Sequence, residues 1–575
     1  MPGQTAPLPE QPDDLRPGRG RKRARVCNEL PFGLPFVPPE DSLTVRSQED
    51  DALPVVMSQL PDEVGRPSGC SAEGSGCSAE GSGQRAPALA TALVNRDWQT
   101  RASQVEQGVC RWAMQHPPEW AQALQALFGA NLASRRLEIG TDCEGMGAPL
   151  EALRVLRALG IIGGYCHRMS CEIDDVARQW FLSNHEWPDL VFSDILQRSW
   201  PQGVSFDLLS ESDQHLPIDL DLYICGFPCC PFSMRKGRSK CFEEEKARPF
   251  FAVVDYIHHG RPKAFILENV AGLERRIVPA GDLALHADEQ ITCLEHVLRT
   301  VRRACPDYFI CVVPPSATCP SALGYKIRRP REYILGGRCD MYAFPSEARF
   351  AEQILHNVRQ VSDTLTLSAV GSDEVFPPSA VGSDCQPHLH HMAGGCACSW
   401  STVCPLHFCN CQVCSRSGRQ LLSCAWRARH KQVWATLGRE WRNYSYFAEL
   451  LQSTGIHADG IVATPRARDL LNLVVAEAGG LASCRLGVLD LSQSHGWHQW
   501  RNDGCIPTLA TGSQIFLVAQ GRFLPSVELR RMMGFPPGLH DSDCSRSGAT
   551  RLLGNTMHVC TVGVAIGVLI AARSA

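Results

Sequence analysis

The chain lacks an excess of charge of either sign: 56 lysines and arginines face 60 aspartates and glutamates over 575 residues. This excludes a protein-wide positive field for nucleic acid, so polyanion binding has to come from local patches. The opening "MPGQTAPLPEQPDD" has no basic start followed by an apolar core, as a secretory leader requires. The 28 cysteines are therefore expected to be reduced thiols, not a secreted disulfide framework. No apolar run reaches the roughly 20 residues that cross a bilayer. The longest, Val559 to Ala572, is expected to be a buried C-terminal helix, and no membrane partner is expected. At 44% hydrophobic and 20% charged residues, the composition excludes a fibrous or wholly disordered chain.

Five segments follow from composition and pattern. Residues 1–95 are rich in Pro, Gly, Ser and charge and repeat "GCSAEGSG", which predicts a disordered tail. Within it the basic cluster Arg16 to Arg25 reads as a nuclear import signal or a phosphate-gripping arm, beside the plain reading of a solvated tail. Residues 96–133 carry Trp98, Val105, Trp112 and Leu124 at helical spacing and form a helical lead-in. Over 134–345, short apolar runs alternate with helix-length segments: "RRLEIG", "HRMSCEID", "DLVFSDI", "DLYICGFP", "PKAFILENV", "DYFICVVPP" and "REYILGG". This predicts an α/β fold with a doubly wound, mostly parallel, Rossmann-like sheet. Residues 346–495 hold a Cys-rich insertion, and 496–575 return to the first domain.

Ligands of such sheets bind outside the carboxyl ends of the strands. Polar or reactive residues gather there: Glu172 and Asp174, Asp194, Pro228 and Cys229, Glu268 and Asn269. In "GFPCCPFSMRKGRSK" a proline sets the turn, a thiol sits at the strand end, and Arg235, Lys236, Arg238 and Lys240 follow. That basic loop is expected to favour thiolate and to hold phosphates. A buried cysteine pair beside an exposed basic loop is the alternative if the segment is read alone.

The motifs together resemble the C5-cytosine DNA methyltransferases. "GFPCCPFS" resembles the family's Gly-x-Pro-Cys-Gln-x-Phe-Ser, with Cys229 as nucleophile and Cys230 where Gln is usual. "ENV" from Glu268 matches Glu-Asn-Val, and "RRPREYILGG" resembles Gln-x-Arg-x-Arg, with Arg329 and Arg331 as its arginines and Ile327 in the Gln position. "RNDGCIPTLAT", "GRFLPSVELRRMMGFP" and "LLGNTMHV" resemble the last motifs, carrying Arg501, Pro507, Glu528, Arg531 and Asn555.

The resemblance implies a mechanism. Cys229 adds to cytosine C6 and makes C5 enamine-like. Glu268 holds N3, Asn269 orients the base or the loop, Arg331 meets O2, and Arg329 meets a phosphate or the nucleophile loop. The base is flipped out of double-stranded DNA. The methyl donor is S-adenosyl-L-methionine, with Glu172 on its ribose, Asp194 facing its adenine, Pro228 beside it, and Glu138, Thr141, Gly145 and Asn555 around its methionine end. In "LEIGTDCEGM", Gly140 stands for the family's Phe, and Asp142 and Glu144 stand for glycines. The two carboxylates are expected to add negative charge beside a sulfonium ligand and to alter cofactor binding.

The insertion lies where the family keeps its target-recognition domain. It holds Cys396, Cys398, Cys404, His407, Cys409, Cys411, Cys414 and Cys424, a ligand density that suggests structural zinc, against the alternative of unligated thiols. Three functions stay open: a nuclear DNA methyltransferase, an RNA (transfer RNA) cytosine methyltransferase, and a catalytically weak DNA-binding relative. Neither the recognised bases nor any protein partner can be read from the chain.

Overall fold

In the computed structural model, the described residues are 96–132, 135–233, 241–276, 291–368, 419–439, 465–493, 495, 500–540 and 545–573. The tail expected over 1–95 lies outside them, as do the basic loop 234–240 and residues 369–418, which hold the proposed zinc ligands Cys396, Cys398, Cys404, His407, Cys409, Cys411 and Cys414.

The chain enters through helices α1 (Arg96–Gln115) and α2 (Glu119–Leu132). Alternation follows: β1 (Arg136–Asp142), α3 (Ala148–Ala158), β2 (Gly164–Cys171), α4 (Asp175–Asn184), β3 (Leu190–Phe192), the hairpin β4 (Val204–Asp207) and β5 (Ser212–His215), then β6 (Leu222–Cys225), α5 (Arg248–Gly260), β7 (Ala264–Val270), α6 (Cys293–Ala304), β8 (Tyr308–Val313) and β9 (Arg331–Arg338). The main sheet has seven strands in the order β3-β2-β1-β6-β7-β9-β8. All seven apolar runs become its strands. Only β9 runs antiparallel to its neighbours. The chain winds outward from β1 through β2 to β3 and then crosses to β6 on the other side, so the switch point lies between β1 and β6.

The central strands read as unbroken apolar runs because helices cover both faces. Pleating divides each strand between two cores. Leu222 and Ile224 join Leu137, Ile139 and Ile266 on one face; Tyr223 and Cys225 join Met169, Phe265 and Leu267 on the other. The first core is closed by α12 (Val559–Ala571, numbered below), packed among α2, α3 and α7. The stretch Gly548–Ala571 has the length and composition of a membrane span, but 89% of its most apolar window is buried inside the protein. A helix apolar all round belongs in a core.

After β9 come α7 (Glu347–Ser368), α8 (Arg419–Thr436) and α9 (Pro465–Glu477), then a small antiparallel sheet of β10 (Val488–Asp490), β11 (Trp500–Arg501), β12 (Ile515–Leu517) and β13 (Arg522–Phe523). Helices α10 (Ser526–Met532), α11 (Arg546–Asn555) and α12 end the chain. One main-chain splice brings this return to the main sheet: Arg328 N donates to Ile506 O at 2.8 Å, and Ile506 N to Lys326 O at 2.7 Å. It fixes the approach to β9, where Arg329 and Arg331 lie. Helix α1 is tied to α3 by Arg154, which is fully buried and pairs with Glu106 of α1 and with Glu151 at 2.9 Å.

Candidate active site

The "GFPCCPFS" segment leaves β6 through Gly226 and turns at once. Cys229 O accepts from Phe232 N and Ser233 N, each at 3.0 Å, closing a single turn with Cys229 half-buried and Cys230 exposed. Two neighbours hold this turn. Asn269 Nδ2 donates to Phe227 O at 2.9 Å. Gly272 lies so close that a Cβ there would sit 2.2 Å from Phe232 O, so only glycine allows the approach. Pro228 is half-buried at the start of the turn.

Glu268 and Asn269 lie inside β7, opposite Tyr333 and Glu332 of β9. Arg331 Nε meets Glu268 Oε1 at 3.0 Å. Burial pushes the Glu268 carboxyl up, and Arg331 and then Arg329 pull it back. A hydrogen bond with Cys230 and burial push the Cys229 thiol up, while Arg331 lowers it and Glu268 raises it. The expectation of a resting thiolate therefore does not hold. The basic side chains meant to favour it lie outside the described residues, and Cys230 acts in the opposite sense.

Arg329 takes a different place from the one expected. It is buried, and its guanidinium donates to Leu509 O at 3.3 Å, Gly554 O at 3.0 Å and Thr556 O at 2.5 Å. With these carbonyls satisfied, it braces the C-terminal return and is not presented to a phosphate. Burial and the nearby Arg331 lower its pKa to about 9.

The residues expected around the methyl donor divide. Glu172 stands at the end of β2 with Oε2 accepting from Gly145 N and Oε1 from Asp174 N, both at 2.9 Å. Each oxygen keeps a lone-pair direction free. Ile173 beside it is 70% exposed, an apolar surface that the sequence reading did not single out. Asp194 is half-buried and caps a short turn through Leu196 N at 2.9 Å. Gly145 abuts Thr556: a Cβ there would lie 3.5 Å from Thr556 Cα, which brings exposed Asn555 next to the loop. Thr141 is fully buried and points into the network described next. Glu138 is not brought to this edge. It lies in the N-terminal half of β1, exposed, with its backbone paired to Asp221.

The two loop carboxyls are both neutralised, contrary to expectation. Asp142 is gripped by Arg198 through two bonds of 2.7 and 2.6 Å and by the Tyr223 hydroxyl. Glu144 is buried and hydrogen-bonded to Thr141 Oγ1 and Ser170 Oγ, and burial pushes its carboxyl up to about 8. Arg198 has no motif signature; Ser170, two residues before Glu172 on the same strand face, offered a weak one.

The two halves meet at Gly226. A Cβ there would lie 2.9 Å from Met557 Cε and 3.4 Å from both Cys143 O and Glu268 Oε2. The loop after β1, the β7 carboxyl and the C-terminal segment thus converge beside the nucleophile turn. Among the described residues no cluster of three or more His, Cys, Asp or Glu side chains is arranged to hold a metal.

Parts of the sequence are similar to known proteins. Residues 143–276 match the family model for C-5 cytosine-specific DNA methylase. The type II methyltransferase M.HpaII of Haemophilus parainfluenzae is 29% identical over 179 residues, 31% of this chain and 41% of that enzyme. M.DsaV of Dactylococcopsis salina is 33% identical over 129 residues, 22% of this chain and 29% of that enzyme. The chain thus spans less than half the length of these curated relatives. Among solved structures, the S. pombe Dnmt2 methyltransferase aligns at TM-score 0.37 and 16% identity over 76% of this chain and 98% of that one. The matched segment, residues 143–276, spans Cys229, Glu268 and Asn269 and is similar to the C-5 cytosine-specific DNA methylase family.

Proposed function

We propose that this protein transfers a methyl group from S-adenosyl-L-methionine to C5 of a cytosine flipped out of double-stranded DNA, through a transient bond from Cys229. The observation that carries the reading is the convergence of Cys229, Glu268 and Arg331, close enough that both charged groups shift the thiol. The neutralised loop supports cofactor binding: Arg198 offsets Asp142 and Glu144 keeps its proton at pH 7, so the edge repels neither the carboxylate of the methionine end nor the ribose. Glu172 takes the ribose hydroxyls on its free lone pairs, with Ile173 against the base and Asp194 towards the adenine amine. When bound, S-adenosylmethionine supplies an electrophilic methyl.

The chain's own groups do the rest. As the base enters, Glu268, whose pKa burial raises, holds N3, and Arg331 takes the charge growing at O2. The thiol leaves Cys230, loses its proton and adds to C6, which makes C5 nucleophilic. After C5 takes the methyl, a base removes the C5 proton and the Cys229 sulfur departs. Arg329 acts in this reading as a brace behind Thr556.

Incubation with labelled S-adenosylmethionine and duplex DNA or transfer RNA tests the reading, with Cys229→Ser as control. Labelled DNA that disappears in the variant supports it. Labelling of RNA alone would move the substrate to transfer RNA, and binding without labelling would leave a DNA-binding relative. Duplex DNA bearing 5-fluorocytosine should trap the protein covalently, and Cys230→Ser should still be trapped. Two parts of the reading rest on residue chemistry alone: nuclear import through Arg16 to Arg25, tested by fusing that segment to a reporter, and zinc on Cys396 to Cys414, tested by metal analysis of the purified chain.

A further inference from the structure

The segment between β1 and α3 turns through positive φ at Cys143 (51°), Gly145 (61°) and Gly147 (72°), and Glu144 is the residue between the first two. Its side chain does not point outward. It folds beneath its own loop, where one oxygen meets Thr141 Oγ1 of β1 and the other Ser170 Oγ of β2. Thr141 Oγ1 also meets His167 Nε2 at 3.0 Å. The carboxyl thereby pins the loop to two adjacent strands. The next amide, Gly145 N, reaches Glu172 Oε2 at 2.9 Å, so the pinned loop also sets the carboxylate that faces the ribose.

We propose that Glu144 is the positioning residue of this loop, and that it holds the loop in its S-adenosylmethionine-binding form only while its carboxyl is protonated. The inference rests on the reading that this edge binds S-adenosylmethionine. The surroundings argue against a charge. Asp142 and Glu172 both raise its pKa, and the Arg198 guanidinium is spent on Asp142. His167 is held neutral by burial, with its pKa lowered to about 3. The thiols of half-buried Cys143 and buried Cys171 are pushed up, so neither adds a charge. On the far side of the loop, His185 under Met146 is neutral by burial, and Arg154 is taken by Glu106 and Glu151. Only the two hydroxyls favour the ionised form. Losing the proton leaves an anion against Glu172 in a dry site, and the relief available is to lift the loop off β2. The Gly145 to Glu172 bond goes with it.

If only the protonated form binds, the dissociation constant rises about tenfold per pH unit above the midpoint of about 8. Titration calorimetry of the full chain from about pH 6.5 to about pH 9.5 measures this. S-adenosylmethionine and S-adenosylhomocysteine serve as probes, the second because it lacks the sulfonium that an ionised Glu144 would attract. The ligands' own amino group titrates equally in every protein variant, so the difference between wild type and Glu144→Gln isolates the residue. Glu144→Gln keeps both hydroxyl partners without ionising and should lack the alkaline loss for both ligands. Ser170→Ala removes a donor that favours the ionised form and should move the midpoint to higher pH. Glu144→Ala, which removes the carboxyl that ties both hydroxyls to the loop, should bind weakly across the whole range, and only the Gln variant should restore binding. An identical pH dependence in wild type and Glu144→Gln would overturn the inference, as would wild-type affinity that strengthens with pH. Failure of every variant to bind either ligand at any pH would instead overturn the cofactor reading itself.

Discussion

Arg331 and Glu268 form an ion pair of 3.0 Å across the β7–β9 ladder, diagonal to each other, because Arg331 faces Val270 and Glu268 faces Tyr333 in the register. The pair is nearly buried, so each partner holds the other in place, and Arg331 lowers the Glu268 pKa that burial raises. Arg331→Ala should lower kcat on duplex DNA about 10²- to 10³-fold, the usual loss of one preorganised donor at a developing oxyanion. It also removes the largest influence that lowers the Glu268 pKa, so the residual activity should persist to higher pH. Steady-state kinetics across pH checks both.

Cys230 supplies the largest influence raising the Cys229 thiol. Cys230→Ala removes that hydrogen bond, so the thiol should ionise at lower pH. The acid limb of the rate profile, or of iodoacetamide alkylation at Cys229, should shift downward. An unmoved limb would show that the adjacent thiol has no hold on the nucleophile.

Arg329 joins β9's lead-in to three carbonyls of the C-terminal return. Arg329→Ala leaves those buried acceptors unpaired, at about 1–3 kcal/mol each before relaxation. Denaturant unfolding should show a loss of several kcal/mol. Because Thr556 abuts Gly145, the cofactor KM should rise more than the DNA KM.

Asp142 and Arg198 are a buried, bidentate pair, and removing one partner strands the other. Arg198→Ala should cost about 3–5 kcal/mol, and Asp142→Asn with Arg198→Met together should cost less than the two changes summed. A double-mutant cycle by thermal unfolding reads the coupling.

Glu144 carries its pKa from 4.5 up to about 8 on folding. A raised folded-state value means stability that is complete below about 4.5 and declines as pH rises to about 8. Glu144→Gln never holds that proton, so it should gain on the wild type through this window, by about 3 kcal/mol at pH 7. Unfolding at matched pH values checks the trend.

The strands and motif residues were legible because their signals are local. "LYIC" and "AFILEN" are apolar on both sides because both faces are covered, and that run is visible before any fold is known. Cys229, Glu268 and Arg331 each stand in a short motif at a strand end. The small sheet β10 to β13 was less legible, since its strands are two or three residues long, too short to carry a periodic signal.

What the sequence determined by itself was the sheet, its helical covering and the types of reactive group at its carboxyl edge, all carried by periodicity and short motifs. The tertiary structure decided which charges survive there. Asp142 meets Arg198 across 56 positions and Arg329 meets Leu509 across 180, and no local pattern records such approaches. Whether a carboxyl is an ion-pair partner or a neutral acid depends on the solvent and charges it meets on folding, so Asp142 ends paired with Arg198 while Glu144, two positions on, is buried with its pKa raised to about 8.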